Sequence, residues 1–151
     1  MPVALRNQQR LLRVATPRLK KLAAQALVLL GAPDADLSLA LVDDTMIRRL
    51  NRDFHHTDRP TDVLAFDYGA GQGEIIISLE RAVAHARRYR VTPSCELARY
   101  VIHGLLHLHG HEDRTPAQRR QMRAAERRLL RRLAAEVPLC GLVRSAAGCG
   151  W

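Results

Sequence analysis

The chain has 151 residues, and its hydrophobic fraction of 47% and charged fraction of 26% are those of a globular domain, not of a disordered or fibrous segment. The 24 basic and 15 acidic residues leave a net charge of +9, which favours a polyanionic partner, although 22 Arg beside 2 Lys also fits a GC-rich coding bias. Three cysteines at unpatterned spacings argue against a disulfide framework and for a reducing, cytoplasmic compartment.

The first predicted element is a helix between Thr16 and Gly31. Thr16 and Pro17 offer a cap and a first-turn proline, and Gly31 offers a stop. The apolar side chains between them share one helical face: Leu19, Leu22, Ala23, Ala26, Leu27 and Leu30. This pattern favours an amphipathic helix over a signal peptide. No stretch approaches the roughly 18 apolar residues of a membrane span, so no membrane partner is expected.

Strand patterns dominate the region that follows. In order, the sequence predicts a strand at residues 37–42, a short helix capped by Asp43 and Asp44 and ending near Asn51, a polar loop at 52–61, and strands at 62–66 and 74–78. The last of these is a continuous apolar run of the kind found at the centre of a sheet.

Three helices are predicted in the second half of the chain. They span residues 79–90, 92–110 and 115–136, and the last opens with a capping-box pattern at Thr115 and Gln118. Helices clustered after the strands predict an α+β fold. We expect a single domain over residues 1–137 and a flexible tail over residues 138–151.

The densest group of candidate ligands lies in the sequence HGLLHLHGHED, residues 103–113. His103 and His107 are four residues apart on a predicted helix, so their rings project from one face, about one turn apart. Gly110 breaks the helix and lets the chain bring a third ligand back to the same ion. The candidates for that ligand are His109, His111 and Asp113, although His109 points well round the helix from His107. Three protein ligands with an open fourth position are typical of catalytic zinc.

Gly104 distinguishes this motif from the helical zinc-peptidase motif, which has Glu directly after the first His as its general base. A peptidase is therefore disfavoured, and the lack of Cys ligands disfavours a zinc deaminase. A glycine at this position predicts that another backbone or a substrate packs closely against the helix.

Residues 103–113 resemble the signature of the YbeY family, single-domain metal-dependent endoribonucleases that act in ribosomal RNA maturation. The matching residues are His103, Gly104, Leu106, His107, Leu108, Gly110 and His111. Further matches are Leu50-Asn51, Asp58-x-Pro60-Thr61-Asp62-Val63-Leu64-Ala65-Phe66, Gly73-Glu74-Ile75, and Met122 with Glu126. The resemblance covers roughly residues 11–136. It implies a small mixed β-sheet of about four strands flanked by about five helices, with a metal site in a cleft.

The resemblance also implies a ligand set for the metal. We expect one zinc ion per chain on His103, His107 and Asp113, and Asp113 stands at a position that is usually His in the family. His111 is the alternative third ligand. Two imidazoles and one carboxylate would also accept Mn²⁺, Ni²⁺ or Fe²⁺.

Residues before the second predicted strand are the candidates for substrate contact. His55 stands where the family commonly has Arg, and His55 and Asp62 are the candidate catalytic residues, for substrate contact or proton transfer. A turn hydrogen bond is an equally good explanation of Asp62. Arg52 and Arg59 are the candidate RNA-binding residues.

The preferred hypothesis is a metal-dependent, single-strand-type endoribonuclease of ribosomal RNA maturation and ribosome quality control. Its expected partners are ribosomal RNA and ribosomal subunits, with no organic cofactor. The alternative is a non-catalytic ribosome-assembly or RNA-binding factor whose metal stabilises the fold. Aromatic residues make up 4% of the chain, so contacts to phosphates are expected rather than base stacking. The arginines of the last helix fit a solvated surface as well as an RNA-facing one: Arg119, Arg120, Arg123, Arg127, Arg128, Arg131 and Arg132.

Overall fold

The computed structural model describes residues 3–55 and 62–145, which form six strands and five helices. In chain order these are β1 (Val3–Asn7), β2 (Leu12–Val14), α1 (Thr16–Leu29), β3 (Asp36–Val42), α2 (Asp44–His55), β4 (Val63–Gly69), β5 (Gln72–Ser78), α3 (Leu79–Tyr89), α4 (Pro93–Leu108), α5 (Pro116–Ala134) and β6 (Val143–Ser145). Four strands form a mixed sheet in the order β1-β3-β5-β4, in which β1, β3 and β5 are parallel and β4 is antiparallel to β5. The predicted α+β fold with a small mixed sheet and five helices is confirmed.

The central strands β3 and β5 bury apolar side chains on both faces of the sheet. Ile75 and Ile77 of β5 are both fully buried in the larger core, which they share with side chains of α1, α3, α4 and α5. Ile76 points to the opposite face, where it packs with Ile47 of α2 in a smaller core. A strand buried on both faces has no polar side to alternate with, which explains the continuous apolar run of β5.

Helix α4 is the central helix of the larger core. Of its 16 residues, 11 are buried, and it packs on α1, α3, α5 and the strands β4 and β5. Each fully buried Leu or Ile side chain contributes about 1.5–3 kcal/mol of burial free energy, so α4 is a rigid platform for the side chains that it carries. Within the described ranges, no helix combines the length and the apolar content needed to cross a membrane.

The N-terminal strand β1 was not predicted, although it forms an edge of the sheet. Its residues pair in parallel with β3, with Val3 opposite Leu37.

The cap expected at Thr16 was wrong. Ala15 is the N-cap residue of α1, no side chain caps that end, and the backbone N–H of Ala15 donates to the Leu142 carbonyl at 2.8 Å. Helix α2 continues to His55, one turn beyond its expected end.

Part of the tail, which was expected to be flexible from residue 138, forms a strand in the structure. β6 pairs antiparallel with β2, and Leu142 and Val143 are 0% and 3% exposed. The Ser94 hydroxyl of α4 accepts a hydrogen bond from the Val143 N–H at 3.1 Å. Two strands of three residues each are too short for alternation to be recognised in the sequence. Residues 146–151 of the tail lie outside the described residues.

Candidate metal centre

The path of the chain after α4 depends on a glycine turn. Thr92 caps the helix by accepting a hydrogen bond from the Cys95 N–H. At the other end, Gly110 adopts a φ of 94°, which side chains rarely allow. The Gly110 N–H then donates to the His107 carbonyl at 3.2 Å and the His111 N–H to the Leu106 carbonyl at 3.0 Å. These two bonds form a Schellman motif, which ends the helix and reverses the chain towards its own last turns.

The reversal brings Asp113 to the two histidines. His103 Nε2 and His107 Nε2 are 3.1 Å apart, and Asp113 Oδ2 lies 3.5 Å from the first and 3.4 Å from the second. Ligand atoms at about 2.0–2.1 Å from a tetrahedral zinc ion are separated by roughly 3.3–3.4 Å. The three atoms therefore have the spacing of one face of a zinc tetrahedron. All three side chains are only partly buried, at 22%, 29% and 41% exposure, so solvent reaches this group.

Glu126 of α5 orients the first histidine. Glu126 is 3% exposed, and its Oε2 lies 2.6 Å from His103 Nδ1. An anionic carboxylate can only accept, so it pairs with a proton on His103 Nδ1; the neutral ring with its proton there would present the Nε2 lone pair towards Asp113 and His107. A carboxylate on the far nitrogen of a metal-binding histidine is the common arrangement behind such ligands. The donor set thus fits a zinc ion, which is borderline soft and binds imidazole and carboxylate readily.

The first turn of α5 holds the loop that carries Asp113. The Gln118 Oε1 accepts from the backbone N–H groups of Arg114 and Thr115, both at 3.0 Å. The Arg119 Nη1 donates to the carbonyls of Asp113 at 3.4 Å and Arg114 at 3.1 Å. The predicted capping box of Thr115 and Gln118 is confirmed. The cap that begins α5 therefore also fixes the backbone beside the third ligand.

The other histidines of the motif lie outside this group. The His109 Nδ1 lies 2.8 Å from the Leu105 carbonyl, so its ring packs back against the end of α4. His111, the alternative third ligand, is exposed and is not among the three residues whose ligand atoms converge.

Gly104 is required by the sheet rather than by a second backbone or a substrate. A Cβ at this position would lie 2.7 Å from Cγ2 and 2.9 Å from Cδ1 of Ile75. The prediction of a close approach is confirmed, but the expected neighbour was wrong: it is a core side chain of β5. A glutamate at position 104 would therefore point into the core and not towards His103 and His107.

A polar stripe on α4 continues behind the histidines. Arg99 donates through Nε to Glu96 Oε1 and through Nη1 to Glu126 Oε1, the latter at 3.3 Å. Burial by itself lowers the pKa of Arg99, but hydrogen bonds and charge attraction from the two carboxylates outweigh it and raise the pKa above its usual value. Glu96, Arg99, His103 and His107 recur at helical spacing on an otherwise apolar helix. That stripe was the available signal, and the sequence analysis missed Glu96 and Arg99.

Asp62 lies just before β4 and contacts α3. Its Oδ1 accepts from Arg81 Nε at 3.2 Å, and its Oδ2 lies 3.7 Å from His85 Nε2. Its backbone carbonyl accepts from the Ser78 N–H at 3.0 Å. Burial raises the pKa of Tyr100 next to this group, with the negative charges of Asp62 and Glu96 adding to the effect. Asp62 is thus paired with α3 and not with the metal group, the side chains of His103, His107 and Asp113 that could hold an ion.

The remaining predicted site residues lie at or beyond the end of α2. Arg52 is exposed, with Nε 3.5 Å from its neighbour Asp53, and it lines a shallow surface depression with Thr45, Arg48 and Arg49. The side chain of His55 and the whole of Arg59 lie outside the described part of the structure.

Known proteins match this chain over most of its length. The family model described as Endoribonuclease YbeY matches residues 4–134. A relative of that name from Geobacter metallireducens is 39% identical over 140 residues, covering 85% of this chain and 93% of the relative. Another, from Anaeromyxobacter sp. (strain Fw109-5), is 42% identical over 137 residues, covering 87% and 71%. The solution structure of a Thermotoga maritima protein aligns with a TM-score of 0.63 at 25% identity, covering 89% of this chain and 90% of that one. Because the family model matches residues 4–134 and these relatives are 39% and 42% identical over most of the chain, the chain belongs to the Endoribonuclease YbeY family.

Proposed function

We propose that this chain is a metal-dependent endoribonuclease that cleaves single-stranded segments of ribosomal RNA during maturation and ribosome quality control in the cytoplasm. The observation that carries the proposal is the convergence of His103, His107 and Asp113 with tetrahedral spacing and a solvent-facing opening. The endoribonuclease names of the relatives support RNA as the substrate.

Zinc is the proposed metal, held by Nε2 of His103, Nε2 of His107 and a carboxylate oxygen of Asp113. When bound, zinc supplies Lewis acidity that polarises a phosphodiester oxygen and makes a water molecule more acidic. Glu126 keeps the His103 ring in the tautomer and orientation that binding requires. The exposure of the three ligands leaves room for a phosphate of an RNA strand to approach from solvent.

Binding of the RNA is assigned to arginines near the end of α2. Arg49 and Arg52 are exposed and stand beside Arg48 around one depression, so that a phosphate could contact more than one guanidinium group. Arg59, which lies outside the described residues, stays proposed as a further RNA-binding residue. Phosphate contacts do not read base sequence, so we expect specificity to come from RNA shape and from ribosomal subunits as partners.

His55 and Asp62 stay proposed for substrate contact or proton transfer. The ion pair between Asp62 and Arg81, at 3.2 Å, favours a supporting role for Asp62, in which it holds the start of β4 against α3. His55 is the last residue of α2 and stays the candidate for substrate contact.

Cleavage of a ribosomal RNA precursor tests the proposal. We would compare the wild-type protein with His103→Ala and with His111→Ala, a matched control in which an exposed histidine outside the metal group is removed. Each protein would be assayed after chelation and again after zinc is added back. We expect the wild type and His111→Ala to cut only with metal, and His103→Ala not to cut.

Two results would contradict the proposal. Equal cleavage by His103→Ala would indicate a contaminating nuclease. RNA binding without cleavage by the metal-loaded wild type would favour the alternative, a ribosome-assembly factor whose exposed arginines hold RNA and whose metal stabilises the fold.

A further inference from the structure

Two buried carboxylates lie behind the metal group and share one cation. Glu96 on α4 and Glu126 on α5 are 5% and 3% exposed. Removing a carboxylate from water is costly unless a positive charge and hydrogen bonds compensate it, and two neighbouring carboxylates also repel each other. Arg99 contacts both of them, through Nε to Glu96 and through Nη1 to Glu126.

The guanidinium of Arg99 is itself held in one orientation. Its carbon lies 5.1 Å from the ring centroid of Tyr100, and its side chain is about one-third exposed. A planar guanidinium has donors that diverge in a fixed fork, so one group can join an acid on its own helix to an acid on the next helix. A lysine ammonium carries the same charge but lacks that fork.

The two oxygens of Glu126 are divided between two partners. Oε1 accepts from Arg99 at 3.3 Å, and Oε2 lies 2.6 Å from His103 Nδ1. Fixing one oxygen fixes the plane of the carboxylate and therefore the direction of the other. We propose that Arg99 is a positioning residue for the metal ligand His103 and acts on it through Glu126. This inference rests on the proposed metal centre, and it assigns a role to a residue that does not touch the metal.

Zinc affinity, measured without RNA, tests this role. The dissociation constant would be determined by competition with a chromophoric chelator at fixed pH for the wild type, Arg99→Met, Glu126→Gln and the double variant. Arg131→Met is the matched control, because Arg131 is an exposed arginine on α5. We expect Arg99→Met to bind zinc roughly ten- to a hundred-fold more weakly, the usual effect of removing a group behind a metal ligand. The control should bind as the wild type does.

The double variant separates positioning from a general structural effect. If Arg99 acts through Glu126, losing Arg99 should not weaken zinc binding further once Glu126 is already changed. The double variant should therefore bind zinc about as well as Glu126→Gln alone. Additive losses in the double variant would overturn the proposal, and so would wild-type zinc affinity in a folded Arg99→Met protein. A fall in thermal stability of the zinc-free protein with unchanged zinc affinity would likewise mean a structural role only.

Two further outcomes are distinguishable. If Arg99→Met does not fold, Arg99→Lys replaces it in the test, because lysine keeps the positive charge but lacks the divergent guanidinium donors. Zinc affinity of Arg99→Lys equal to that of the wild type would then overturn the proposal. A wild-type protein that binds zinc but cleaves no RNA would contradict the proposed nuclease and leave the role of Arg99 to be decided by the zinc measurements.

Discussion

Gly104→Ala offers a direct test of how α4 is seated on the sheet. The added Cβ would lie 2.7 Å and 2.9 Å from two carbons of Ile75, and both distances are shorter than real Cβ contacts allow. Ile75 is fully buried on a central strand, and its β-branched side chain has few alternative rotamers. The contact can be relieved only by moving α4 away from β5 or by straining Ile75.

Two opposing effects determine how much Gly104→Ala changes the free energy of unfolding. Replacing glycine by alanine inside a helix favours folding by about 1 kcal/mol. Overpacking a core by one methyl group costs about 1–3 kcal/mol. The net loss in the free energy of unfolding should thus be about 0–2 kcal/mol, and we expect the upper half of that range because two short contacts form at once.

Denaturant unfolding of the zinc-free protein measures this change. The informative comparison is with Ile75→Ala, which removes both contacted carbons and is destabilising in its own right. In that background the contact is gone, so Gly104→Ala should stabilise the protein by up to about 1 kcal/mol, the helix-propensity gain alone. A stability gain from Gly104→Ala in the wild-type background would refute the packing argument. The same sign in both backgrounds would show that Ile75 does not constrain this position.

Other substitutions test the metal loop and the RNA surface. His107→Ala should lose zinc and cleavage together while staying folded, and normal zinc content in the folded variant would overturn its assignment as a ligand. Arg119→Met should weaken zinc binding several-fold, since it frees the backbone beside Asp113; unchanged affinity would mean that the capping box alone holds the loop. Arg52→Ala should weaken RNA binding and lower its dependence on salt concentration by about one counterion, whereas Arg127→Ala should weaken it at most modestly. Equal losses in filter binding for these two variants would contradict an RNA surface on α2.

The sheet and its helices were largely predictable because most of them depend on local patterns. The apolar run at residues 74–78 indicated the central strand, and the structure confirms the helix starts predicted at residues 92 and 115. β1, β2 and β6 escaped prediction because they are short or lie at an edge, where pairing with a distant strand supplies the stability that the segment lacks.

The metal group was predictable only in part. The helical period places His103 and His107 on one face of α4 whatever surrounds that helix, so their pairing follows from their spacing. The spacing leaves Asp113 and His111 as equal candidates for the third ligand. Asp113 reaches the histidines because the Schellman turn at Gly110 reverses the chain and the contacts of Arg119 and Gln118 hold the loop beside His103 and His107.

The sequence by itself determined the character of this protein: an α+β domain with a strongly basic surface and two histidines one helical turn apart. Only the tertiary structure decided what lies behind those histidines. The packing of α5 against α4 brings Glu126 to His103 across 23 positions of the chain, and it places Arg99 between two buried acids. Such contacts depend on how two helices are oriented about a shared core. No periodic pattern within either helix contains that information, because periodicity specifies which face is buried and not which residue it will meet.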